Sequence, residues 1–177
     1  MVTGILNPHL NSPCDAIESL AAQVDRSAPD KLILRFRVDG DIDRLLIPAS
    51  AASNRRDGLW KHTCFELFLK AGSGAAYYEF NFAPSGEWAA YRFDGYRSGM
   101  TNTQMQDAPA ISSRRSADRF ELDVDLSLPP GVTTGDALAL CAVIEDRTQR
   151  ISYWAVAHAP LKPDFHHDNG FVLHLPA

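Results

Sequence analysis

Two stretches decide the fold of this chain: CFELFLK (Cys64–Lys70) and YYEFNFAPSGEWAAYRF (residues 77–93). Both alternate apolar and other residues with period two, the pattern of a half-buried strand. If AGSGAA (71–76) closes a hairpin, Glu66 lies opposite Asn81 and Phe68 opposite Glu79. Phe65, Leu67, Leu69, Tyr78, Phe80 and Phe82 then share the core side. A turn over PSGE (84–87) sets Ala83 opposite Trp88, Asn81 opposite Ala90 and Glu79 opposite Arg92, so that Ala89, Tyr91 and Phe93 join the core. The opposite face then carries Glu66, Glu79, Asn81, Arg92 and Trp88 over a floor of Ala83 and Ala90.

That face has two readings. Carboxylates accept hydrogen bonds, a guanidinium donates as a fixed fork and an amide does both, which is what vicinal hydroxyls require. Trp88 at the edge offers a flat surface for the C–H face of a sugar, and Trp60 and His62 close the same end. The bland reading is a solvated face with a Glu79–Arg92 cross-strand ion pair, worth roughly 0.2–1 kcal/mol. Trp88, too large for a merely polar surface, favours the binding reading.

Outward from there, period two continues. LILRFRV (32–38) alternates Leu32, Leu34, Phe36 and Val38 with Arg35 and Arg37, and RFELDVDLSL (119–128) alternates apolar residues with Glu121, Asp123 and Asp125. Further strands are expected at 45–47, 137–144, 151–158 and 171–175, with turn clusters such as ASNRRDG and PPGVTTGD between them. Many strands at hairpin spacing predict an all-β domain, an antiparallel β-sandwich of two sheets of the jelly-roll or immunoglobulin-like kind. One short N-terminal helix is expected. Ile17, Leu20, Ala21 and Val24 fall at helical spacing, behind Ser12 as N-cap and Pro13 at the first helical position.

With 177 residues and no repeat or low-complexity linker, the chain fits one domain over 1–177. A net charge of −5, with no basic stripe, argues against nucleic acid as a partner. Three widely spaced cysteines form neither a disulfide framework nor a CxxC metal site. No run of eighteen apolar residues points to a membrane span, and the opening MVTGILNPHLNSP has no leader-like segment, so a cytoplasmic location is expected.

The segment YWAVAHAPLKPDFHHDNGF (153–171) is dense in aromatic and polar groups. With Ile151, Tyr153 and Ala155 facing the core, Trp154 and His158 face outward, and the following loop is placed to fold over the polar face. Asp164, His166, His167 and Asp168 supply metal-ligand atoms, but adjacent histidines on extended chain diverge and no HxH or HExxH spacing occurs. His62, His158 and Met100 are the residues a non-covalent haem would use. Neither a metal nor another cofactor is the expectation. Motifs of nucleophilic, P-loop or dinucleotide chemistry are missing, so a non-enzymatic role is expected.

The combination DGLWKHTCFELFL (57–69), the 77–100 segment with its PSG turn and the 153–171 segment resembles the DOMON-like domains of proteobacteria, relatives of family-9 carbohydrate-binding modules. The resemblance runs from about Leu32 to Leu175 and implies a jelly-roll-like sandwich that binds sugars or haem. It also implies a clamp of two tryptophans, Trp88 with Trp154 or Trp60, and a polar set of Glu66, Glu79, Asn81 and Arg92. The expected site is therefore Trp60, His62, Glu66, Glu79, Asn81, Trp88, Arg92, Trp154 and His158, with a sugar-like ligand. The alternatives are a protein partner or a second copy of the chain, or a haem- or metal-binding domain.

Overall fold

A computed structural model describes residues 1–177. The chain is nearly all β: β1 (Val2–Pro8), β2 (Ile17–Ala28), β3 (Lys31–Gly40), β4 (Cys64–Lys70), β5 (Tyr77–Phe82), β6 (Trp88–Phe93), β7 (Thr101–Asn102), β8 (Ala110–Arg115), β9 (Arg119–Ser127), β10 (Ala137–Glu145), β11 (Ile151–Ala155) and β12 (Leu173–His174). Three single 3-10 turns are the helical content. The strands form one antiparallel ladder in the order β7-β6-β5-β4-β10-β11-β1-β2-β3-β9-β8, with β12 beside β10. Where two separate sheets were expected, the ladder is continuous and curls on itself. β1 is the seam, pairing β2 along five residues and β11 through Asn7↔Ala155 and Pro8↔Trp154 alone.

The curl brings the inner faces of both halves into one core of 30 buried residues. Leu32, Leu34, Phe36 and Val38 of β3 meet Phe65, Leu67 and Leu69 of β4 and Phe80 and Phe82 of β5 there. Phe65 stands between Phe36 and Phe120 at ring-centroid distances of 5.0 and 5.9 Å. Aromatic pairs of this kind add about 0.5–1.5 kcal/mol each beyond their buried area.

No N-terminal helix forms, because the stretch assigned to it is β2. A β-bulge between Ile17 and Ser19 adds one residue to the strand. Ile17 and Leu20 both reach the core three residues apart, after which Leu20, Ala22 and Val24 alternate normally. One extra residue in a period-two pattern imitates a helical i, i+3 step. Opposite the bulge lies Gly40 at φ +145°, where a Cβ would stand 2.2 Å from the Ala16 carbonyl oxygen, so only glycine fits.

The β5–β6 hairpin fixes what the outer face presents. Gly86 N donates to Ala83 O and Ala83 N to Glu87 O, with Gly86 at φ +94°. The loop is therefore Pro84-Ser85-Gly86, a turn followed by a glycine in the left-handed region. Its three residues place Phe82 opposite Trp88, Asn81 opposite Ala89 and Glu79 opposite Tyr91. This is one residue out of step with the four-residue turn read from the sequence, and every side chain of β6 changes face.

Candidate functional site

β4 is buried along both faces, so its outer face is not the solvated surface of the bland reading. On its outer side Glu66 and Phe68 stand beside Glu79 and Asn81 of β5, Ala89, Tyr91 and Phe93 of β6, and Cys141 and Val143 of β10. The C-terminal segment folds over them. Phe68 anchors it, with Phe165, His166 and Phe171 at centroid distances of 6.5, 5.1 and 6.5 Å. His166 also packs edge-on against Phe93, and its Nδ1 lies 2.8 Å from the Tyr77 hydroxyl. A second strap comes from the β6–β7 loop, where Arg97 donates to Asp164 at 2.7 Å and the Tyr96 hydroxyl donates to the same carboxylate.

Strand face and straps enclose a cavity of about 480 Å³. Trp60, Phe68, Tyr91, Phe93, Tyr153 and Phe165 supply its aromatic walls, and Glu66 and Glu79 rise from its floor. Arg97, Met100, Val143, Pro163, Asp164 and His166 complete the lining.

The floor is electrostatically odd. Glu66 is 2% exposed, and its Oε1 is buried without a hydrogen-bond partner. Burial, reinforced by Glu79, pushes its carboxyl well above the ordinary range. Glu79 accepts a 2.7 Å bond from Asn81 Nδ2. Burial raises Glu79 to about 7, although the Asn81 bond and the Arg97 charge pull it back down. Cys64 and Cys141 flank the pair as free thiols, held neutral by burial and by the nearby glutamates. His166 Nε2 lies 3.7 Å from Glu79, but burial and then the Arg97 charge push the ring down to about 4. It is neutral at pH 7 and forms no ion pair. At Asp164 burial alone would raise the carboxyl, but the bonds from Arg97 and Tyr96 hold it below its usual value.

Of the expected residues, Trp60, Glu66 and Glu79 line this cavity, and Asn81 is buried against Glu79. The other five lie elsewhere. Trp88 and Arg92 are turned away by the three-residue hairpin: Trp88 joins the central core, and Arg92 pairs with Asp94 and not with Glu79. Trp154 is 3% exposed in the same core, its Nε1 donating to Ser152 Oγ at 2.9 Å. That internal partner offsets the cost of burying the Trp154 N–H. β11 therefore faces opposite to expectation, with Tyr153 toward the cavity. His62 bonds Glu145 at 2.8 Å beside a separate hollow of about 510 Å³, and His158 bonds the Asn7 carbonyl at the β1 seam. In that second hollow Glu145 and Glu87 both have side-chain partners, so it lacks an orphan group.

Of the six aromatic walls, Trp60 alone is among the expected site residues. Tyr91 and Phe93 were assigned to the core, and the Pro84-Ser85-Gly86 turn was the signal that would have placed them. Arg97 carried none. Asp164 and His166 were read as metal-ligand candidates and instead face the cavity. His167 accepts from Asn169 N, and Asp168 pairs with Lys70 at 2.9 Å. No group of three or more His, Cys, Asp or Glu side chains is arranged to hold a metal ion.

No protein-family profile matches the sequence, and no curated protein matches it. Among solved structures the chain is similar to a protein from Bacteroides uniformis ATCC 8492 described as a candidate carbohydrate-binding protein. Identity is 13%, coverage 97% of this chain and 84% of that one, and the TM-score 0.64. It is also similar to a family 9 carbohydrate-binding module from Caldicellulosiruptor kristjanssonii. The complex with cellotriose gives 12% identity, 90% and 74% coverage and a TM-score of 0.49; the complex with glucose gives 12%, 81% and 69%, and 0.44. The likeness to the Bacteroides protein shows a shared fold.

Proposed function

We propose that this chain is a non-catalytic binding domain, of DOMON-like and carbohydrate-binding-module type, for a small hydroxyl-rich, sugar-like ligand. The cavity above β4, β5 and β6 is its site, and the curled sheet is a sandwich-like frame for it. The observation that carries the reading is Glu66, a fully buried carboxyl with an unpartnered oxygen on the floor of an aromatic-walled cavity. An unmade bond on a buried carboxyl is costly, and a ligand hydroxyl would supply it. The cavity lies within the roughly 300–1,000 Å³ range of small-molecule sites. Its rings suit the C–H faces of a pyranose, and the Bacteroides protein sharing the fold is described as a candidate carbohydrate-binding protein.

Binding without turnover fits the placement of the two glutamates. Both rise from one sheet floor, whereas glycoside hydrolysis needs carboxyls on either side of the scissile bond. The three free thiols favour a reducing compartment such as the cytoplasm.

Calorimetric titration with mono- and disaccharides tests the assignment. A sugar at a hundred times its Kd should also stabilise the fold by about 2.7 kcal/mol. Tyr91→Ala and Glu66→Ala should each weaken binding at least about tenfold while the circular dichroism stays native. Unchanged affinity in both variants would remove the site, and silence across the panel would send the search to a protein partner.

A further inference from the structure

The charges facing the cavity do not balance. Its lining holds three acids, Glu66, Glu79 and Asp164, against one permanent cation, Arg97. The cation is already committed, because its guanidinium bonds Asp164 at 2.7 Å. The nearer titratable groups are uncharged, Cys64 on β4, Tyr77 on β5, Tyr91 on β6, Cys141 on β10 and His166 above, and the further cation on this strand face, Lys70, is committed to Asp168 at 2.9 Å. Glu66 and Glu79 thus form a buried acid pair with no counter-ion of its own. Buried charge is tolerated when paired and hydrogen-bonded, and otherwise the group keeps its proton. Around this pair stand Trp60, Phe68, Tyr91, Phe93, Tyr153 and Phe165, rings whose faces attract a desolvated cation.

Resting on the assignment of the cavity to a sugar-like ligand, we infer that the ligand carries a protonated amine, held by Glu66 and Glu79 within the aromatic walls, as in an amino sugar. Such a ligand brings the missing positive charge. Its ammonium keeps its own protons and donates them as hydrogen bonds to the Glu79 carboxylate and to the Glu66 carboxyl. Glu66, the more deeply buried of the two, keeps its proton, and the fraction of a proton that Glu79 retains near neutrality leaves for the solvent, so that one ammonium faces one carboxylate. A neutral sugar offers no reason for that proton to go, and an anionic one meets Glu79 unfavourably.

Matched pairs isolate the amine: D-glucosamine with D-glucose, and D-galactosamine with D-galactose. Tetramethylammonium chloride serves as a cation without hydroxyls. Each is titrated at pH 7 in two buffers of different ionisation enthalpy, which yields the protons released. The amino member should bind at least about tenfold tighter than its neutral partner, with release of about half a proton at pH 7. Glu79→Gln, which keeps the shape and the Asn81 contact, should abolish both the preference and the release. Equal or tighter binding of the neutral member without proton release overturns the inference and leaves the sugar-like assignment standing. Binding of tetramethylammonium alone supports the cation site and overturns the hydroxyl-rich ligand. No binding by any probe at millimolar concentration sinks both.

Discussion

The outer faces of β3–β9 and of β4–β5 begin from the same kind of sequence and end differently. On β3 and β9, Arg35 pairs with Asp123 at 2.7 Å, Arg37 and Arg119 share Asp39, and Arg114 reaches Glu121 and Asp123. Each cation has an anion, both meet water, and nothing covers them. On β4 and β5 Glu66 and Glu79 come without a base of their own, Lys70 on the same face being paired with Asp168, and the C-terminal segment buries the two acids among rings. Alternation places side chains on a face but does not say whether that face is a surface. Charge pairing does: a solvated face can balance its charges, whereas Glu66 and Glu79 are left for something else to satisfy.

The contrast can be broken first at Phe68, on which the covering segment rests. Phe68→Ala should cost about 3–5 kcal/mol, read as a fall in melting temperature; a loss under about 1 kcal/mol would mean that the segment does not pack on the strand face. Next comes pH. Glu79, raised from an ordinary 4.5 to about 7, binds more protons folded than unfolded between those values. The Glu79 contribution to stability is therefore lost as pH rises through that window, while Glu66, raised as well, extends the loss to higher pH and His166, lowered to about 4, opposes it below its ordinary 6.5. Glu79→Gln should make the pH dependence between about 4.5 and 7 less destabilising and stabilise the fold by up to about 3 kcal/mol at alkaline pH, and a pH dependence identical to that of the unaltered protein would transfer the effect to another group.

Asp164→Ala removes the strap to Arg97 and Tyr96. It should cost about 1.5–3 kcal/mol and speed amide exchange over residues 158–168 while β3 and β9 keep their protection. Exchange quickening everywhere would show global loosening rather than a released strap. The smallest effect belongs to the open face, where Arg35→Ala should cost about 0.2–1 kcal/mol and less in high salt. A larger, salt-insensitive loss there would erase the distinction between the two faces.

The sequence shows the β4–β5 register and the core positions of both strands, because Phe65, Leu67, Phe80 and Phe82 leave one pairing that buries them together. It shows Glu66, Glu79 and Asn81 sharing a face for the same reason. It does not settle β6 by pattern. WAAYRF is apolar on both faces, so period two holds for either orientation and loop length decides. Trp154 was misplaced because its partner, Ser152, lies two residues away in a strand whose other side is equally apolar. The N-terminal stretch misled through its bulge. The sequence places a loop able to cover the face, but not which of its residues land on Phe68, since what brings Phe165 and His166 there is the path of a loop with no periodicity.

The Pro84-Ser85-Gly86 hairpin has a genetic corollary. The turn lines no part of the cavity, yet its length determines which half of β6 the ligand meets. One inserted codon there would exchange Ala89, Tyr91 and Phe93 for Trp88, Ala90 and Arg92, setting a guanidinium and an indole above the two glutamates. Point mutation would need several steps, through intermediates with mismatched walls, to reach the same inventory. Descendants of this fold can thus change what they recognise by altering the count of residues in a turn, and alignments that treat a gap at that turn as neutral will pair positions that point in opposite directions.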